Sequence, residues 1–346
     1  MIRTLRPCFA IAVAWCGISV ATACNIPVFR YALERWEPDS CELIVFHDQQ
    51  FSAEQEQVIQ RLRDRSDPEE SSANIDLHVV DVVADADDPR ISLWQQIRER
   101  ADADQASAGT SDSERQTAGL PHVLVRTKLG RGQWINHWRG PLTKDLTKQI
   151  LDSPVRVELR DRLLKGDSIV WLMLRSTDET RNEAVRRRIA DRSTALAKTI
   201  QLPEGIGLPG SELYAEVPLV LKFSLLEIDP ADPKEAFLVG LLSGFDPQAH
   251  AAGDPLLVPV FGRGRALEVI PATTLSDPLI DDLTMYLSAA CSCQVKEQNP
   301  GFDLLIHADW ESELFGTEGD RPPDRSGEEG LNRPPVNLTI PPGRSR

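Results

Sequence analysis

The chain is short of positive charge. It carries 38 Lys and Arg against 53 Asp and Glu, a net charge of −15. That balance excludes a nucleic-acid ligand and an anionic membrane surface, both of which need concentrated basic residues. Past the first two dozen residues the chain also lacks an apolar run of the eighteen or so residues that spans a bilayer, so no transmembrane span is expected. It has no Walker loop, no His-Glu-x-x-His and no Ser-His-Asp signature. It has no Cys-x-x-Cys pair either, which removes the ordinary dithiol nucleophile of disulfide exchange.

What is present begins with a targeting segment. Arg3 and Arg6 precede the apolar run of residues 8–20, and Ala21, Thr22 and Ala23 form a small-x-small cleavage pattern. Residues 1–23 therefore read as a signal peptide. Cleavage leaves Cys24 first, and an N-terminal Cys admits a second reading, a lipid anchor on its thiol. Both readings place the protein outside the cytoplasm, most simply in a bacterial periplasm. Four Cys then remain, Cys24, Cys41, Cys291 and Cys293, an even number that suits an oxidising compartment.

The rest reads as a duplication over 24–153 and 154–310. Each copy opens with Pro27 or Pro154 at a helix start, where its missing N–H costs nothing. Phe29, Leu33 and Trp36 share one helical face, as do Val155, Leu159 and Leu163. A buried strand follows each helix, over 41–46 and 168–174. Next come a helix (53–65; 179–200), a strand (75–83; 217–228) and a helix (92–100; 233–242). Each copy closes with a strand (120–125; 255–261), a Gly-Arg-Gly turn, a return strand (134–138; 266–270) and a helix (142–151; 277–287). This order gives two α/β units, each a mixed sheet flanked by helices. Residues 101–119, rich in Ser, Asp, Gln and Ala, read as a mobile insertion. Residues 311–346, rich in Pro, Gly and charge and without apolar periodicity, read as a disordered tail.

The order of elements resembles the thioredoxin fold, most closely over 120–151. There a Pro precedes a strand, and a Gly turn, a return strand and a helix follow. The resemblance implies a cis peptide at Leu120-Pro121. It also implies a groove beside Pro121 that takes extended peptide, and hence a protein or peptide partner. The redox pair would follow the first strand of each copy, where the chain reads His47-Asp-Gln-Gln-Phe-Ser52 and Arg175-Ser-Thr-Asp-Glu-Thr180. Neither holds Cys, so the family's activity does not carry over. The opening, residues 24–36, also resembles a family of uncharacterised exported bacterial proteins.

Few residues invite chemistry. Cys291-Ser-Cys293 can pair with Cys24 or Cys41 in structural disulfides, or act as a thiol-redox or soft-metal pair for Cu or Zn. His47, Asp48 and His122 converge if the resemblance holds, as a metal site or an acid-base pair. The ordinary reading of those three is polar residues at strand ends. The Gly-Arg-Gly turns read as hairpin turns rather than phosphate cradles. Trp134, Trp138, Trp171 and Trp310 read as core and rim packing. The expected function is a non-catalytic binding or assembly module with two degenerate thioredoxin-like units. The alternative is an exported thiol-redox or metal protein using the Cys-x-Cys pair.

Overall fold

The computed structural model describes residues 25–66, 73–107, 119–129, 132–291, 295–317 and 319–323. The signal segment, Cys24 and Cys293 lie outside them.

The first sheet has four strands, β1 (Cys41–His47), β2 (Ile75–Asp81), β3 (His122–Lys128) and β4 (Trp134–Pro141), in the order β2-β1-β3-β4. β1 and β2 run parallel; β3 is antiparallel to β1, and β4 to β3. The second sheet repeats this order. β5 (Ile169–Leu174) lies between parallel β6 (Phe223–Ile228) and antiparallel β7 (Leu256–Phe261). The short strands β8 (Arg265–Ala266) and β9 (Ile270–Pro271) fold back on β7, and β10 (Phe302–Asp303) pairs with β8. The fold is thus mixed α/β with two helix-flanked mixed sheets in a tandem thioredoxin-like arrangement. β5 and β7 read as unbroken apolar runs because helices cover both faces of their sheet.

In the first unit α2 (Ala53–Ser66) and α4 (Leu146–Leu151) bury Leu43, Val45, Val123 and Val125 on one face. On the other, α3 (Ile91–Ser107) lays Trp94 and Ile97 over Ile44, Phe46 and Leu124. α3 runs into the expected insertion, as far as Ser107. Ala101, Ala103 and Ala106 favour helix, and neither Gly nor Pro intervenes before Gly109. Residues 108–118 lie outside the described set.

In the second unit α5 (Pro154–Leu164) and α7 (Ala236–Phe245) cover Val170, Leu172 and Val258. α6 (Glu179–Thr199) and α9 (Asp277–Ser288) cover Trp171, Met173 and Leu257. β6 starts at Phe223 and is shorter than the expected 217–228, whose start holds Pro218, a residue with no N–H for a ladder. The short helix α8 (Pro247–Ala251) precedes β7.

Three features tie the units together. The first helix, α1 (Val28–Arg35), stands before the first sheet in sequence but packs into the core of the second, where Phe29, Tyr31 and Trp36 meet Trp171 and Phe261. Its Glu34 is enclosed. It accepts from Arg30 Nε (2.9 Å), Arg35 Nη1 (2.8 Å) and the backbone N–H of Ala215 (3.2 Å). Arg30 also donates to the Ala215 carbonyl at 2.6 Å.

The second Gly-Arg-Gly turn is a hairpin turn with Gly262 and Gly264 at φ 59° and 90°. Its arginine faces inward. Arg263 donates to the Leu33 and Glu34 carbonyls at the end of α1, at 2.9 and 3.1 Å, and pairs with Glu37 and Glu311. It thus satisfies carbonyls that a helix end leaves open. In the first copy Gly132 has φ 76°, and residues 130–131 are outside the described set.

The last tie is the segment after β10. Leu304 and Ile306 enter the second core, whereas Leu305, between them, enters the first. The expected tail begins later than residue 311: Trp310–Phe315 form a helix, α10, whose Trp310, Leu314 and Phe315 are buried. Residues 324–346 lie outside the described set.

Candidate functional site

In a sheet with parallel strands the crevice beyond their carboxyl ends is the usual ligand position, because the connections diverge there. In the first unit that crevice is a cleft of about 820 Å³. The end of β1 supplies His47 and Asp48; the turn into α2 supplies Gln49, Gln50 and Phe51. The end of β2 gives Val82 and Val83, and α3 gives Ile91, Trp94 and Gln95. Leu120 and Pro121 close the floor, and the bond between them is cis, as the resemblance implies.

Local hydrogen bonds shape the rim. Asp81 accepts from the N–H groups of Val83 and Ala84, both at 2.9 Å, and these bonds hold its carboxyl below the usual range. The turn they fix leaves Val83 71% exposed at the cleft edge. His47 Nδ1 lies 3.1 Å from the Gln49 carbonyl, and its ring packs 4.4 Å from Phe51.

His47 and Asp48 line the cleft together; His122 does not join them. Phe46 and His122 are register partners across β1 and β3, so their side chains share a face and His47 points to the other. His122 is wholly buried beneath Trp94, ring centroids 5.7 Å apart, with neither ring nitrogen hydrogen-bonded. Burial, with Arg139 nearby, lowers its pKa to about 4. The Gly119 backbone opposes that shift without reaching hydrogen-bonding geometry. The imidazole is therefore neutral at neutral pH and lies below the cleft floor rather than in it. Among the described residues no group of three His, Cys, Asp or Glu can hold a metal ion.

A second polar cluster, which the sequence reading missed, lies where the units meet. Cys41 Sγ is 3.3 Å from Thr127 Oγ1, which is 3.0 Å from His137 Nε2. His137 stands edge-on to Phe237 of α7. Burial, with Arg156 beside it, lowers the His137 pKa to about 3. Arg156, of α5, lies over the Phe237 ring at 5.0 Å and donates to the Leu305 and Ile150 carbonyls. Burial raises the Cys41 thiol to about 11. A buried thiol held protonated is a poor nucleophile at neutral pH.

The expected bridge from Cys41 to the Cys-x-Cys pair is absent: Cys41 is a free thiol bonded to Thr127. Residues 26 and 27 do meet 290 and 291, however. Cys291 N–H donates to the Ile26 carbonyl at 2.9 Å, and Pro27 bridges Ala290 in antiparallel register. The expected result of non-reducing peptide mapping on protein made in an oxidising compartment is a link from Cys24 to the Cys-x-Cys pair, with Cys41 alkylated only after denaturation. Mapping that finds Cys24 unlinked to either residue of the pair removes the bridge.

The tryptophans serve packing. Trp171 and Trp310 are buried, Trp138 lies against the first core, and Trp134 at the rim stacks on the Arg126 guanidinium at 4.5 Å. No described helix is long and apolar enough to cross a membrane. No family model matches the chain, and no curated protein matches it.

Proposed function

We propose that the protein is a non-catalytic binding module and that the cleft beside Pro121 takes an extended segment of a protein partner. The observation that carries this reading is the cleft's lining. Phe51, Val82, Val83, Ile91 and Leu120 offer apolar contacts, while Gln49, Gln50, Gln55 and Gln95 offer amide donors and acceptors. Amides suit peptide backbone, and apolar walls suit alternate side chains. Asp48 and Arg98 are of opposite sign, so the cleft selects no strongly charged ligand. No cysteine lines it, and its one histidine faces Phe51 and the Gln49 carbonyl. That fits holding a ligand better than transforming it.

The test is a library of extended peptides screened against the exported full chain. Hits are expected to bind Phe51→Glu and Val83→Glu at least tenfold more weakly. Val83 is exposed at the cleft rim, so Val83→Glu is expected to fold as the parent does, and a urea midpoint for Phe51→Glu, whose ring also packs against the first core, separates lost binding from lost stability. Hits that bind the two variants as tightly as the parent chain would place the binding surface elsewhere.

A further inference from the structure

The sheets end in four edge strands, and three of these are blocked. α7 lies against the β4 edge so closely that a Cβ on Gly240 would come 3.2 Å from the His137 carbonyl oxygen. On β6, Arg162 occupies the Leu225 carbonyl at 2.8 Å. β10 pairs with β8 on one side and bridges Leu129 on the other. The β2 edge is different. At its start Ala73 bridges His307, and Asn74 holds the Leu304 carbonyl and the Ile306 N–H. Beyond that point, among the described residues, the backbone of 76–80 bonds to β1 alone. Alongside runs a groove of about 440 Å³ lined by Arg63 and Ser66 of α2 and by Ile75, Asp76, Leu77 and Val79 of β2. An open edge with half-buried apolar side chains pairs readily with any extended segment that fits it.

The chain itself carries a segment that fits. Residues 311–346 have no periodicity as a whole, but Val336-Asn337-Leu338-Thr339-Ile340 alternates apolar and polar. β2 alternates in the same phase, as Ile75-Asp76-Leu77-His78-Val79. A strand of that pattern beside β2 continues both faces at once. Val336, Leu338 and Ile340 extend the row of Ile75, Leu77 and Val79, and Asn337 and Thr339 extend that of Asp76 and His78. The segment is bracketed by Pro334-Pro335 and Pro341-Pro342. Proline biases the preceding residue to extended backbone and lacks the N–H that a ladder needs. The brackets therefore bias Ile340, before Pro341, to extended backbone and deny a ladder any donor beyond either end of the segment. The thirteen residue steps from Pro323 to Val336 reach about 40 Å when extended, about twice the ~20 Å radius of gyration of a body of this size.

We infer that residues 336–340 add to the β2 edge as a fifth strand of the first sheet and cover its groove. The test is amide hydrogen exchange of residues 76–80 in the full chain and in Leu338→Pro, which removes a donor from the middle of the segment. The expected result is exchange at least tenfold faster in the variant, with exchange in β5 and β7 unchanged. A second measurement uses the chain ending at Pro323, which retains every described element. A synthetic peptide of residues 334–342 is expected to restore its β2 protection, and the same peptide with Pro at 338 is not. Equal exchange in parent and variant overturns the inference. Protection that weakens on dilution also overturns it, by showing that a second copy donates the strand. Retention of library-peptide binding in the chain ending at Pro323 keeps this result separate from the fate of the Pro121 cleft.

Discussion

Lowering the pH from 7 to 5 is expected to remove about 4 kcal/mol of folding stability, split equally between His122 and His137. Both imidazoles are neutral in the fold, their pKa values lowered to about 4 and about 3 by burial. In the unfolded chain each returns to roughly 6.5. The unfolded state therefore binds more protons below that value, and stability falls as the pH drops. Their full contribution is present above pH 6.5 and is lost progressively toward pH 4 and 3. At pH 5 the loss is about 2 kcal/mol per histidine, because the unfolded-state value sets it as long as the folded value lies well below 5. Ordinary carboxylates have barely begun to protonate at pH 5, so this window isolates the histidines. Urea midpoints measured between pH 7 and 5 give the slope directly. His122→Phe is expected to remove about half of the part that the two rings contribute. The same change is expected to raise stability at pH 7 by about 1 kcal/mol or more, since it replaces an imidazole with two unpaired nitrogens by a ring that packs. A flat midpoint across the window would mean that both rings find water or partners in solution.

Glu34→Ala is expected to cost about 3–5 kcal/mol, the largest effect of any single substitution proposed for this protein. The carboxylate is enclosed and is the charged partner of Arg30, which is 1% exposed. Removing Glu34 leaves a guanidinium in an apolar core, where burial already lowers its pKa. It also leaves the Ala215 N–H without its acceptor. Removing both charges at once is a different matter, because a well-packed apolar pair has no desolvation to offset. Arg30→Met with Glu34→Leu is expected to recover most of the loss. Chemical denaturation of the three variants measures this. A single-variant loss below about 1 kcal/mol would show that α1 does not need the pair to dock.

The two sheets were legible because their central strands are continuous apolar runs and the two copies share one order of elements. The partner of α1 was not. Phe29, Leu33 and Trp36 announce a buried face, but nothing in an amphipathic pattern says which sheet it meets. Arg263 illustrates the same limit: the flanking glycines reveal a turn, while the acceptors of its guanidinium are supplied by residues some 230 positions earlier. α10 was missed because six residues are too few to display a helical period. The failure of His47 and His122 to converge was readable in principle. Once Phe46 is set opposite His122, the pleat sends His47 to the other face. The cleft could be located in the sequence from the end of β1 and from Pro121, but its amide-rich lining depended on α3 packing where it does.

The placement of Leu305 and α1 bears on how the chain is made. A ribosome delivers the N-terminal end first, and domains ordinarily fold in that order. Here α1 emerges before any strand, yet its docking surface on β7 and around residues 212–215 arrives some 180 to 230 residues later. The first sheet emerges whole by residue 141, yet its core lacks Phe237 and Leu305 and its β4 edge stays bare until α7 is synthesised. The first unit cannot close until the second is nearly finished. A chain with this topology spends most of its synthesis unsealed, and crosses from nascent to native in one late step.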